Sequence, residues 1–397
     1  MDIQKIGVLS LIKAAITDEA SSLPEGFDLD AALGEVKSHQ ISSMLYYGAM
    51  NCGLDKNTPA MKQLFAVLCK CVAVSEKQKF EVGSVCKAFS DNNIDHMPLK
   101  GTVLREMYPH SDMRLMSDAD ILIKTEQYDS IRPIMLELGF EEGLESNHEY
   151  VWKKAGIVIE LHKRIIPSYN KDYYAYYGNG WRLAVPSETV PHRFEMSAED
   201  QMIYLFTHFA KHYRDGGIGL RHITDLYVYR RYIGRLNEEY IKKELETLGT
   251  YEFYTNITDT INVWFNGANS TEKTDFITDF IFASGVYGKL SQKRIAQTLK
   301  ASTGGKGSMK NAKKRHIIRM IFPSLENMKL HYGFLEKLPF LLPVTWVMRL
   351  FKIVFFKGKK AKNYYNDMKN ISTEDISDYQ QVLNYVGLDF KFEEQLP

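Results

Sequence analysis

Cysteine is scarce, with four residues in 397, at Cys52, Cys69, Cys71 and Cys86. A disulfide scaffold does not fit so few, and Cys69 and Cys71 stand too close for zinc-ribbon spacing, so reduced, buried thiols are expected. An excess of one charge is missing as well. Fifty Lys and Arg against 49 Asp and Glu leave a net charge of +1, which removes any global pull toward nucleic acid or membrane. A clean membrane-spanning run is also lacking. Leu338–Phe356 comes nearest, but Pro339 and Pro343 break its start and Arg349 and Lys352 interrupt its second half. A charge at the centre of a spanning helix costs roughly 2.5–3.5 kcal/mol. A docked amphipathic helix is therefore expected there, with contact to a membrane surface as the alternative and no transmembrane segment. Asp2, Lys5 and Lys13 interrupt the apolar stretches a signal peptide would need, so a cytoplasmic location is expected. There is no internal repeat.

What is present is an ordinary globular composition, 45% apolar and 25% charged, in a chain long enough for two or three domains. Residues 1 to about 85 carry helical spacing, as in Val8, Leu11, Ile12 and Ala15, and a long helix is expected from about Lys62 to Asn92. The middle third changes to short strands: Ile94–Leu99, then Asp118–Ile123, then a hairpin of Tyr150–Lys154 and Ile157–His162 turning at Ala155-Gly156. A helix over Tyr128–Leu138 lies between them, closed by Gly139. Helices resume at Glu199–Tyr213 and Leu220–Arg231. Lys293–Arg319 holds nine basic and no acidic residues. It is a solvated face or a candidate contact for nucleic acid or an acidic partner. Its Gly-Gly-Lys-Gly-Ser has the wrong order for a P-loop.

Three acids stand out against this pattern: Asp118 and Asp120 ahead of Ile121-Leu122-Ile123, and Glu160 inside Ile157-Val158-Ile159-Glu160-Leu161. Side chains alternate along a strand, so Asp118 and Asp120 share a face. Carboxylates in buried strands are costly unless paired or holding a metal. Three on one side of a sheet suit two magnesium ions, with manganese as the alternative, and hence phosphoryl or nucleotidyl transfer.

The ordered set Pro98-Leu99-Lys100-Gly101-Thr102, Tyr108-Pro109, Arg114, Ser117-Asp118-Ala119-Asp120 and Glu160-Leu161-His162 resembles a large bacterial nucleotidyltransferase family of the DNA polymerase β-like superfamily. His208-Phe209-Ala210-Lys211-His212, Gly217-Ile218-Gly219-Leu220-Arg221, Asp225 and Leu341-Leu342-Pro343 with Trp346 and Arg349 extend the resemblance over roughly Lys79–Lys357. It departs from the superfamily's usual Gly-Ser or Gly-Gly, which is Gly101-Thr102 here. The resemblance implies an α+β fold: a short mixed sheet with flanking helices over residues 86–190, between helical regions 1–85 and 191–397. It implies an enzyme that moves a nucleoside monophosphate from an NTP, ATP foremost, to a hydroxyl acceptor on a small molecule or a protein. The alternatives are an antitoxin-type enzyme that modifies a partner toxin and a non-catalytic nucleotide-binding protein of a surface-polysaccharide system.

In that scheme Asp118, Asp120 and Glu160 are the catalytic and metal-holding acids. Lys100, Gly101, Thr102, Arg114 and Ser117 are the nucleotide-binding candidates: backbone N–H groups at a helix start and two cations for the triphosphate. Lys100 and Arg114 could each pair with a carboxylate instead. His162, His208, His212, Arg221 and Asp225 are acceptor-facing or structural candidates. His208 and His212 are spaced i and i+4, as in a zinc helix, but without its glutamate. Tyr169, Tyr173, Tyr174, Tyr176 and Tyr177 either stack on a base or sugar or pack a loop.

Overall fold

A hairpin with a two-residue turn organises the centre of the computed structural model. Ala155 (φ 46°) and Gly156 (φ 85°) both take positive φ, the geometry that matches strand twist. The turn joins β4 (Glu149–Lys154) to β5 (Ile157–His162) with Lys154 opposite Ile157 and Glu149 opposite His162. β5 pairs in parallel with β2 (Ala119–Ile123), which pairs antiparallel with β1 (His96–Pro98), while β3 (Glu141–Glu145) flanks β4. The five-strand sheet has the order β1-β2-β5-β4-β3. The sequence reading lacks β3, because Glu141, Glu142 and Glu145 lie on an exposed edge and show no apolar alternation. The structure describes residues 1–168, 170–285, 288, 290–303, 318, 321–329, 332–353, 355, 366 and 371–389.

Helices cover one face of the sheet. α4 (Pro59–Asp91) runs 33 residues, about 50 Å at 1.5 Å per residue. Thr58 caps it by accepting from Met61 N–H, and Pro59 opens the first turn, where a missing N–H costs nothing. Val82, Val85 and Phe89 of α4, Ile131 and Met135 of α6 (Tyr128–Glu137), and Ile121, Ile159 and Trp152 of the sheet form one core. Truncating a buried Phe such as Phe89 to Ala typically costs about 3–5 kcal/mol. A second core gathers Met97, Leu122, Ile166, Tyr173, Tyr177 and Tyr204. The tyrosines of Lys171–Tyr177 therefore pack: Tyr173 and Tyr177 are buried, and Tyr176 donates to Glu244 at 2.6 Å. Tyr169 lies outside the described residues.

Ahead of α4, α1 (Ile3–Thr17) packs on α3 (Ser42–Asn51). Gly48 permits that approach, because a Cβ there would meet the Leu11 carbonyl oxygen at 1.9 Å. All four cysteines are free, with Cys71 buried and Cys69 exposed. After the sheet come Ala198–Arg214, Leu220–Ile233, Glu238–Thr247, Tyr251–Phe265 and Glu272–Ser284.

The chain forms two compact units, residues 1–212 with 217–287, and residues 213–216 with 288–397. In the second, Leu290–Thr303 packs on Thr373–Tyr385, and Tyr379 donates to the carbonyls of Tyr213 and Arg214. A helix over 342–353 also belongs to this unit. Among the described residues no helix is long and apolar enough to cross a membrane. Most of the basic block, 304–317 and Arg319, lies outside the described residues.

Candidate active site

Strand register brings the acids together. β2 and β5 place Asp120 beside Glu160 and Leu122 beside His162, and β4 adds Glu149 opposite His162. These positions share one face by alternation. The other face sends Ile121, Ile159, Leu161, Tyr150 and Trp152 into the core. Asp118 stands one residue before β2. The apolar flanks thus belong to the opposite face of the same strands.

The charges on this face do not balance. Asp120 is buried, and its Oδ1 accepts from His162 Nε2 at 2.6 Å and Lys100 Nζ at 3.1 Å. Burial alone would raise its pKa, but Lys100 and His162 outweigh that and hold the carboxyl well below its usual range. Burial would also lower the pKa of His162, yet Asp120 keeps the imidazole protonated above its ordinary value. For Asp118 the same two cations do not prevail. Burial first, then the nearby Asp120 and Glu160 carboxylates, push it up to about 6. Glu149 rises too, through burial and Glu160. Asp120, Glu160 and His162 offer ligand atoms within 4.8 Å of one another, as do His148, Glu149 and His162. Asp118 is in neither group. The carboxylate oxygens of Asp120 and Glu160 are hard donors of the kind a divalent cation takes, while His162 is engaged with Asp120.

Lys100 reaches Asp120 from a strained backbone, φ 47° and ψ −118°. Leu99 N–H donates to Asp120 O, and Lys100 O accepts from Leu104 N–H, so the strain is held from both sides. The positive φ falls on Lys100, whereas Gly101 is glycine for space: a Cβ there would meet Met116 Sδ at 2.8 Å. The helix that follows, α5 (Gly101–Leu104), is a single turn. Thr102 Oγ1 lies 3.9 Å from Met116 Sδ, and Ser117 is exposed beside Asp118.

Residues 25–266 match the family model described as "Uncharacterised nucleotidyltransferase". The chain belongs to that family. The comparison with curated proteins finds no match. A solution structure of the antibiotic-resistance factor ANT(2'')-Ia is similar at 12% identity, over 46% of this chain and 96% of that chain, with a TM-score of 0.33. That likeness is too slight to build on.

In this nucleotidyltransferase, Arg114 does something other than what its place in the motif suggests. It is buried, and its Nε donates to Asp225 at 2.7 and 3.0 Å. Tyr108 also donates to Asp225 at 2.7 Å. Arg114 Nη1 and Arg221 Nη1 both donate to Leu115 O, at 3.0 and 2.9 Å. Of the two roles the sequence left open for Arg114, the geometry has the pairing with a carboxylate, Asp225. With Arg221 and Asp225 it clamps the segment leading to Asp118. Gln78 of α4 braces the same segment by donating to Met116 O at 2.7 Å.

His208 and His212 of the nucleotidyltransferase touch each other, Nε2 to Nε2, at 3.1 Å. They are not among the groups of three metal-ligating side chains found in the described residues. His208 is held neutral by burial, then by His212 and Lys100. The sequence reading missed His148 and Glu149. Glu149 was accessible by counting back along the hairpin, while His148 lies in the preceding turn and carried no signal.

Proposed function

We propose that this nucleotidyltransferase moves a nucleoside monophosphate from an NTP, ATP foremost, to a hydroxyl of a small molecule or a protein, with magnesium, or manganese, held by Asp118, Asp120 and Glu160. The single observation that carries the reading is the cluster of acids that the β2–β5 register gathers on one face of the sheet, Asp120 beside Glu160 with Asp118 one residue ahead of β2. A cation bound there would neutralise the triphosphate and acidify the attacking hydroxyl.

The chain's own groups divide the remaining work. His162 fixes the rotamer of Asp120 by donating to Oδ1. The Lys100 ammonium, 3.1 Å from the same oxygen, is placed to offset phosphate charge arriving beside Asp120. The exposed Ser117 and the partly buried Thr102 offer hydroxyls near the acids. Asp118, pushed up to about 6 by burial and the neighbouring Asp120 and Glu160 carboxylates, is the acid that a bound cation would relieve most. A supply of ATP fits a cytoplasmic location.

The test is incubation with each α-labelled NTP, Mg²⁺ and host lysate. Label transferred to an acceptor, with pyrophosphate released, is expected from wild type and not from Asp120→Asn. Nucleotide binding with no pyrophosphate from any NTP would leave a binding protein instead.

A further inference from the structure

The helix over 342–353 is amphipathic in an unusual direction. Thr345 is fully buried and Trp346 donates to Pro323 O at 2.9 Å, so one face is docked in its own unit. The opposite face is apolar and open. Val344, Val347, Met348, Phe351 and, just beyond, Phe355 are 42–65% exposed, and the Phe351 and Phe355 rings lie 4.2 Å apart. At 100° per residue these five positions fall within about 100° of one another, a single stripe. Phe340, in the short turn Pro339–Leu341, extends it with 72% exposure.

Charge decides what fits the stripe. Lys352 is exposed at its border, and Lys337 precedes it. In the sequence Lys337, Arg349, Lys352, Lys357, Lys359, Lys360 and Lys362 lie between Glu336 and Asp367 with no acid among them. An apolar stripe in a wholly basic stretch matches the acyl boundary and negative headgroups of an anionic bilayer. A second copy of this chain would bring the same seven positive charges against themselves.

We propose that residues 337–353 together with Phe355 form an interfacial anchor that seats the protein on anionic phospholipid without crossing it. The proposal is independent of the transfer reading above.

The test is co-sedimentation of the full chain with vesicles of phosphatidylcholine alone or mixed equally with phosphatidylglycerol. Binding to the mixed vesicles, release by high salt and weak binding to phosphatidylcholine are expected. Val347→Glu with Phe351→Glu should lower the bound fraction at least about tenfold. Phe355→Ser should lower it less. Leu144→Glu, at a side chain 85% exposed in the other unit, should leave it unchanged. Far-UV circular dichroism and melting should match wild type in all variants, because each altered side chain is exposed. Equal binding to both vesicle types, wild-type binding by the double Glu variant, or no binding at all would overturn the proposal. So would a dimer that the double Glu variant dissociates and vesicles fail to compete away.

Discussion

Asp225 and Asp118 sit at opposite extremes of charge compensation. Asp225 is buried with Arg114 and Tyr108 both donating to it. Asp118 has two further carboxylates pressing on it, and its pKa climbs to about 6. One centre is closed by its own partners and the other is left in excess. A closed pair fixes a segment in place, whereas an excess is useful only if something from outside arrives to neutralise it.

Four experiments would break or sharpen the contrast. The largest effect is expected from Arg114→Ala. Removing one member of a buried pair typically costs about 3–5 kcal/mol, so urea melts should show a loss of that order. Nucleotide affinity should fall only in proportion to the folded fraction, and a selective loss of affinity in a stably folded variant would return Arg114 to the site. Next comes Asp120→Asn, expected to lower transfer by at least about 10²–10³-fold. It also strips Lys100 and His162 of their shared carboxylate, so its melting point without metal should fall. Transfer at the wild-type rate would make the acid face structural.

Third is the pH dependence of Asp118. Its folded pKa, about 6, exceeds the ordinary 3.8. Between those values the folded chain keeps a proton that the unfolded chain has lost, so stability falls as pH rises through this window. The penalty is complete above the upper value and at most about 3 kcal/mol. Asp118→Asn should therefore melt higher than wild type near neutral pH with chelator present, and no higher below about pH 4. Added Mg²⁺ should raise the wild type and not the variant. A flat difference across pH would show that Asp118 carries no such strain. Smallest is Gly101→Ala, where the new Cβ meets Met116 Sδ at 2.8 Å. Overpacking of this kind costs about 1–3 kcal/mol, and Met116→Ala should recover part of it.

The acids were legible because they lie in strands whose apolar alternation is strong, and because a two-residue turn sets the whole β4–β5 register from Lys154–Ile157 back to Glu149–His162. The helices were legible to within a few residues: Pro59–Asp91 against an expected Lys62–Asn92, and Ala198–Arg214 against Glu199–Tyr213. Which of its two readings Arg114 follows was not legible. Its partner, Asp225, is 111 residues away in the chain, and nothing local distinguishes a cation that pairs from one that waits. Nor was Lys100 legible as the strained residue, since the neighbouring Gly101 invites that assignment and the structure gives it another reason to be small. The three-part division into 1–85, 86–190 and 191–397 followed the family resemblance and helical spacing along the chain, whereas the compact units follow tertiary contacts.

The parallel pairing of β2 with β5 has a kinetic consequence. Asp120 and Glu160 become neighbours only when a loop spanning α6, β3 and β4 closes. Such non-local closure is slow, because chain entropy is lost before the contacts form. The mutual repulsion of the acids is therefore absent from the early, local steps and is concentrated on this late one. A divalent cation present during refolding should accelerate the late step and leave the earlier helix formation untouched.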